Sequence, residues 1–238
     1  MLSRAVGLGI SPVFNARLTI ASNVNNYNLS TALQSLGWTT TKRARIEVTI
    51  NSGVTVGSTS TGSPAFLVNL KDIDYVTIIN NGNIFGAAGG GGVSAWTSNG
   101  TPGGAGGTAL QALSNVRIVN NGIIGGGGGG NGGDGASIRF LRYSPSCPKG
   151  GTYQAGYHTC GRCLQNVWTA YPATCTPVYD YPPGNNGAAG VAGSGVAGSA
   201  GASPYFAGGA GGAAGNYYLG SNKITVITAG TVRGNISA

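Results

Sequence analysis

The sequence predicts a mainly β protein that is built from short repeated units and glycine-rich segments, with little helix. Three observations lead to this fold class. Glycine supplies 46 of the 238 residues, β-branched residues cluster in short runs, and only 8% of residues are charged, against about 25% in ordinary globular domains. Because glycine brings no side chain to a core and costs backbone entropy on folding, an ordinary helical domain is excluded.

One unit occurs four times and consists of a β-branched strand, a tight turn with glycine, and a second short strand. The copies are VTINSGVTVG at 48–57, VTIINNGNIFG at 76–86, VRIVNNGIIGG at 116–126 and ITVITAGTVRG at 224–234. Their turn glycines are Gly53, Gly82, Gly122 and Gly230, which we expect to supply positive φ angles. A β-hairpin or one corner of a β-solenoid would form such a unit. Each copy is too small to bury its apolar face alone, so copies should stack on one another or across subunits.

Between the copies, glycine recurs at every third position. The runs lie at 86–92, 100–106, 126–135, 184–193, 195–201 and 209–215. Three residues per turn is the period of a polyproline II-type helix, which has no internal hydrogen bonds and needs outside partners. We expect polyglycine II helices packed side by side, and the alternative for 184–215 is a flexible Gly/Ala linker.

A segment at 138–183 interrupts this pattern and holds all four cysteines in the spacing C-x12-C-x2-C-x11-C. These are Cys147, Cys160, Cys163 and Cys175. Two disulfides would stabilise a loop that has little core of its own, and three pairings are possible. A zinc site is the second possibility, although a zinc ribbon needs two C-x2-C pairs and only one is present, and free or mixed thiols are the third. Apart from that zinc ion, no cofactor is expected.

The same insert is the best candidate for a binding surface. Tyrosine and tryptophan give a large contact area at low entropic cost, and arginine suits anionic groups. The candidate receptor-binding residues are Tyr143, Tyr153, Tyr157, Trp168, Tyr171, Tyr179, Tyr181, Arg142 and Arg162. These rings could also form the core of the insert, with Trp168 the foremost core residue, and we expect them to do both.

The balance of charge limits the function classes. A net charge of +8 favours encounter with anionic surfaces such as lipopolysaccharide, and the alternative is that it only keeps the protein in solution. Nucleic acid is not expected, because the basic residues are scattered apart from Lys42, Arg43 and Arg45 and no RNA-binding signature occurs. An enzyme is not expected either, since the chain has only five acids and no serine-nucleophile elbow, metal-binding histidine pair or phosphate loop. The acids are Glu47, Asp72, Asp74, Asp134 and Asp180.

Several of these motifs together resemble a known group of proteins. They are ASNVNNYNLSTALQSLGW at 21–38, RIEVTINSGVTVGSTSTGSPAF, VTIINNGNIFGAAGGGG and VRIVNNGIIGGGGGGNGGDG. The combination resembles the receptor-binding regions of lambda-type host-specificity tail-tip proteins and the glycine-rich tip adhesins of T-even phage tail fibres. The resemblance implies a virion protein of the distal tail that meets the host cell surface on attachment. Its implied partners are other phage tail proteins and an outer-membrane protein or lipopolysaccharide.

The resemblance carries no site residues, and the cysteine insert departs from the family pattern. Lambda-type relatives are trimers and the T-even adhesins act as single chains, so a homotrimer and a monomer both stay open. The expected function is a receptor-binding adhesin, and the alternative is a purely structural tail subunit. The expected organisation is a tail-attachment segment at 1–20, β structure at 21–85, glycine-rich structure at 86–137, the insert at 138–183, a second glycine-rich segment at 184–220 and a β unit at 221–238.

Overall fold

The computed structural model describes residues 13–72, 74–95, 98–136, 140–142, 178–180, 185–203 and 206–238. Its described part is mainly β, as predicted, with one α-helix, α1 (Leu29–Ser35), and one 3₁₀ turn (Ser221–Lys223). Asn28 caps α1, because its side-chain oxygen accepts from the backbone N–H groups of Ser30 and Thr31. Within these ranges no helix has the length and apolar character required to cross a membrane.

Fifteen of the strands form three parallel sheets of five strands each. Sheet 1 contains, in spatial order, β1 (Phe14–Ile20), β4 (Ala44–Ile50), β7 (Tyr75–Asn80), β10 (Val116–Asn120) and β15 (Ile224–Thr228). Sheet 2 contains β2 (Val24–Asn25), β5 (Thr55–Gly57), β8 (Asn83–Phe85), β11 (Ile123–Gly125) and β16 (Thr231–Arg233). Sheet 3 contains β3 (Tyr27–Asn28), β6 (Phe66–Val68), β9 (Leu110–Ala112), β14 (Asn216–Leu219) and β17 (Asn235–Ser237). The chain visits sheets 1, 2 and 3 in turn, and it completes this circuit five times.

The two strands of each repeated unit lie in different sheets and pair in parallel with the equivalent strands of the neighbouring units. In sheet 1, Val48 lies opposite Ile78 and Ile78 lies opposite Ile118. In sheet 2, Val56 lies opposite Ile84 and Ile84 opposite Ile124. Because equivalent residues align across circuits, one β-branched pattern repeated along the sequence produces continuous apolar rows inside the stack.

The apolar rows form a core between the three sheets. Alternate residues of sheet 1 point inward, and Val48, Ile78 and Ile118 are fully buried. The last circuit differs, because Val226 and Ile236 are 44% and 56% exposed. Nearby, the buried hydroxyl of Tyr218 has no hydrogen-bond partner among the described residues.

The turns between sheets 1 and 2 explain the Asn-Asn-Gly motif. Asn80 and Asn120 are fully buried, and the amide of Asn80 donates to the side-chain oxygen of Asn120 at 2.8 Å. Gly53 and Gly230 have positive φ angles of 77° and 55°, as expected. The expectation is wrong for Gly82 and Gly122, whose φ angles lie outside the left-handed region. Glycine is needed there because an added Cβ would overlap the backbone of the neighbouring turn.

A glycine-rich arm projects where sheet 2 passes to sheet 3. Two excursions leave after β8 and β11 and return at β9 and β14, and they contain six extended segments. We number these segment I (86–95), II (98–108), III (126–136), IV (185–193), V (194–203) and VI (206–215). Between segments III and IV, β12 (Phe140–Arg142) and β13 (Val178–Asp180) form an antiparallel pair within the insert.

Candidate functional site

Segment III lies at the centre of the arm and bonds to its neighbours through the backbone. From Gly127 to Ala136, every N–H donates in strict rotation to segments II, IV and V, at 2.8 to 3.2 Å. Its carbonyl groups accept N–H donors of segments I and VI, such as Gly89 and Gly212. Segment III is therefore enclosed by the other five segments, and each of them hydrogen-bonds to every third residue of segment III.

This contact explains why glycine is needed at the facing positions. A Cβ on Gly103 would lie 2.5 Å from the carbonyl carbon of Gly130 in segment III, and most other facing glycines would meet backbone in the same way. Real carbon–carbon contacts require about 3.5 Å. The arm thus has a lattice of backbone hydrogen bonds in place of a side-chain core.

Three loops leave the arm at the end distant from the sheets. Ala95 donates to the carbonyl of Asp134 at 3.3 Å, and Ala136 donates to that of Ser98 at 3.2 Å. Gly135 donates to Ala202 at 2.9 Å. At the same end of segment III, the N–H of Asp134 donates to the carbonyl of Asn185, at the start of segment IV, at 3.0 Å. These bonds gather the ends of the connections at 96–97, 137–184 and 204–205 into one place, which we call the tip.

Polar side chains tie the segments together at the tip. The carboxylate of Asp134 accepts from the backbone N–H groups of Asn185 and Ala202, both at 2.7 Å. These two bonds, first from Asn185 and then from Ala202, hold the pKa of Asp134 below its ordinary value. Asn186 accepts from the backbone and hydroxyl of Ser94, at 2.8 and 3.0 Å. The tip is therefore an ordered platform from which the loops extend.

The structure places two of the predicted receptor-binding residues. Arg142 lies in β12 opposite Val178, and Tyr179 lies in β13 opposite Leu141. The other candidates in the insert, and its cysteines, lie outside the described residues: Tyr143, Tyr153, Tyr157, Trp168, Tyr171, Tyr181, Arg162, Cys147, Cys160, Cys163 and Cys175. Both strands belong to the connection that starts and ends at the tip.

The other two loops at the tip were missed from the sequence. They contain Trp96 in one case and Tyr205, which precedes Phe206 of segment VI, in the other. A signal was present, because every aromatic residue between 86 and 215 lies where the three-residue glycine period is broken. Aromatic residues at breaks in a regular backbone lattice mark loops, and these loops all lead to one end of the arm.

Basic residues lie far from the tip, on the outer face of sheet 1. A shallow depression of about 530 Å³ there is lined by Arg17, Arg45 and Arg117 together with Tyr75. The guanidinium of Arg45 lies 5.9 Å from the centre of the Tyr75 ring. Glu47 forms an ion pair with Arg17 at 3.5 Å. This patch contains part of the basic cluster noted in the sequence.

Asp72 and Asp74 have structural partners in the described residues. Asp72 forms an ion pair with Lys223 at 2.8 Å. Asp74 is buried and accepts from the backbone of Ala44 at 2.7 Å and of Lys71 at 3.0 Å. These contacts hold the two aspartates at the turn before β7.

A stack of parallel sheets with a backbone-bonded arm and gathered loops defines a binding protein that presents its loops at a distance. A family model described as phage tail fibre adhesin Gp38 matches residues 15–237, and the chain belongs to this family. The fold is similar to the crystal structure of the gp37-gp38 adhesin tip complex of the bacteriophage S16 long tail fibre, with a TM-score of 0.52 and 18% identity. That match covers 93% of this chain and 82% of the other. No curated protein matches the sequence.

Family membership establishes the function class. The chain is a phage tail-fibre adhesin, which recognises a receptor on the bacterial surface and belongs to the distal tail of the virion. The expected resemblance to glycine-rich adhesins of phage tail fibres is confirmed.

Proposed function

We propose that the three loops at the tip form the receptor-contacting surface and that the insert at 138–183 contributes most of it. The observation that carries this proposal is the set of hydrogen bonds that gathers residues 95, 98, 136, 185, 202 and 206 around the end of segment III. A surface made from several loops can bury a central cluster of aromatic anchors, which is where most binding energy arises.

The loop composition suits an outer-membrane protein or lipopolysaccharide. The tyrosines of the insert and Trp168 can stack on sugar rings or pack on loops of a membrane protein. Arg142 and Arg162 supply positive charge for phosphate or carboxylate groups. Catalysis is not part of this proposal, which is supported by the ion pairs of Glu47 and Asp72 and by the backbone contacts of Asp74 and Asp134.

We propose further that segments I to VI are polyglycine II helices. The support is the three-residue rotation of donors along segment III, because a helix with three residues per turn offers each neighbour one residue per turn. Such a lattice is a stiff support that holds the loops away from the sheets. The flexible-linker alternative for 184–215 is disfavoured by the bonds from Gly187, Gly198 and Gly212 to other segments.

We infer that residues 1–20 attach the chain to another tail protein. The part of this segment that the structure describes includes β1, which lies at the edge of sheet 1. Among the described residues no strand pairs with the outer side of β1, so a strand of another tail protein could add there. Sheet 1 neither gives rise to the arm nor receives it, so attachment there leaves the tip free. One chain completes all five circuits, which favours a single chain over a homotrimer, and light scattering on purified protein distinguishes the two states.

For the cysteines we propose two disulfides within the insert, with zinc as the alternative. Intact mass before and after reduction and alkylation separates these states, because two disulfides block all four thiols. Bound zinc would instead appear in elemental analysis and disappear with a chelator.

Host-cell adsorption tests the function directly. Purified protein should bind host cells and block phage adsorption, and deletion of residues 143–181 should abolish both while the thermal unfolding of the sheets stays unchanged. Retained binding by the deletion variant would show that the insert is not the main contact. Failure of the intact protein to bind any host cell would favour a purely structural subunit.

A further inference from the structure

Segments IV and V are held to segment III and not to each other. In the described residues, the backbone bond between them is the one at their shared turn, where Ser194 donates to Val191 at 3.1 Å. Beyond that turn, side chains of segment III fill the space between them. Asn131 accepts from the N–H of Ser199 in segment V at 2.8 Å. Asp134, three residues closer to the tip, faces the same space.

Asp134 differs from Asn131 because it bridges both segments. One carboxylate oxygen accepts from Asn185 at the start of segment IV, and the other accepts from Ala202 at the end of segment V. Its own carbonyl accepts from Ala95 at the end of segment I. One residue therefore bonds at or next to one end of each of the three connections that make up the tip.

The chemistry of the side chain also sets Asp134 apart. It is the only charged residue in the six segments. A carboxylate presents acceptors on both oxygens, whereas an amide presents one oxygen and a donor group. A link to one segment needs only an amide, as Asn131 shows. The double link of Asp134 uses one oxygen for each segment, and an amide has a donor group in place of the second oxygen.

We propose that Asp134 is a positioning residue for receptor binding, which fixes the spacing of the three loop ends by accepting from Asn185 and Ala202 together. The inference rests on the proposed function of the tip. Without the Asp134 carboxylate the lattice persists, because segment III keeps its backbone hydrogen bonds. The loops then start from less defined positions. Loss of this order raises the entropic cost of binding.

The test compares Asp134→Asn with Asn131→Ala in the full chain. Each variant removes one side-chain acceptor from the same space, so both should lower the unfolding temperature by similar amounts. Only Asp134→Asn should weaken adsorption to host cells, by about tenfold, which is the scale expected for loss of one charge-assisted hydrogen bond. Hydrogen exchange should quicken at Asn185 or Ala202 in Asp134→Asn, and at Ser199 in Asn131→Ala.

Three outcomes decide the matter. A split between similar unfolding temperatures and different adsorption supports positioning. Equal adsorption by the two variants, or adsorption that simply follows unfolding temperature in both, overturns it and leaves Asp134 a structural link. If the unaltered protein does not bind cells, the proposed function of the tip fails, and faster exchange confined to Asn185 and Ala202 would then show only the link itself.

Discussion

Gly130→Ala is expected to disrupt the glycine-rich arm. Gly130 lies in segment III, and an added Cβ would lie 2.5 Å from the carbonyl carbon of Gly90 and 3.0 Å from the carbonyl oxygen of Gly89. Both atoms belong to the backbone of segment I, so no side-chain rotation relieves the overlap. Segments I and III must separate by about 1 Å to restore normal contact.

That separation affects several hydrogen bonds at once. Gly89 donates to Gly128 and Gly92 donates to Asn131, both at 2.8 Å, and Ala95 donates to Asp134 at 3.3 Å. Lengthening these by about 1 Å takes them beyond hydrogen-bond distance. At about 1 kcal/mol for each bond, and more where a buried group is left unpaired, the free energy of unfolding should fall by about 3 to 5 kcal/mol.

Urea unfolding followed by circular dichroism measures this loss, and Gly90→Ala is the matched control. Gly90 faces Gly130 across the same contact, but its own Cβ direction is open, with no atom within 4 Å. Gly90→Ala should therefore match the unaltered protein or be more stable by up to about 1 kcal/mol, because alanine reduces the entropy of the unfolded chain. If the two variants lose equal stability, or neither loses any, close backbone contact is not what holds the arm together.

Three further predictions concern single side chains. Tyr218→Phe should raise stability by about 1 kcal/mol, because the buried hydroxyl has no partner in the described residues. Burial raises the pKa of Tyr218 to about 12. Because the unfolded chain loses this proton near pH 10, the unaltered protein should lose stability between pH about 10 and about 12. An equal loss of stability in Tyr218→Phe would contradict this. Asn120→Ala should cost about 2 kcal/mol, because the buried amide of Asn80 loses its 2.8 Å bond to Asn120 and keeps only a 3.3 Å contact with the carbonyl of Ile123. Urea unfolding measures this loss against exposed Asn121→Ala. The stability difference between unaltered protein and Asp134→Asn should persist at neutral pH and vanish as the pH falls below 3.8, the ordinary pKa of that carboxyl group. The reason is that the lowered pKa of Asp134 stabilises the fold only while the carboxylate is ionised. A stability difference that survives in acid would show that charge is not involved.

Much of the secondary structure could be predicted because its signals are local. The β-branched runs at Val48, Val76 and Val116 each become strands of sheet 1. The pairing of those strands could not be predicted, because a strand followed by a turn and a second strand fits a hairpin as well as a passage between sheets. Gly82 shows the same limit: its need for glycine comes from the neighbouring turn and not from its own φ angle.

The site could be predicted only in part. The composition of the insert predicts a binding region, since aromatic residues concentrate there, and the described residues confirm only that this connection starts and ends at the tip. The contribution of the other loops depends on which segments lie side by side, and the register of a backbone lattice of repeated glycines is not encoded by distinctive side chains. Asp134 was noted only as one of five acids, because its role arises from Asn185 and Ala202, which are 51 and 68 residues away.

The absence of a side-chain core in segments I to VI has a thermodynamic consequence. The heat-capacity change of unfolding comes mainly from exposure of apolar surface, and exposure of peptide groups reduces it. Melting of the arm exposes mostly peptide groups and glycine Cα atoms, so its heat-capacity change should be small for its length. Its stability should then vary almost linearly with temperature, without the loss on cooling that hydrophobic cores show. The loops would keep their geometry in cold water as well as in warm, whereas the sheets that carry the arm should follow the usual curved profile.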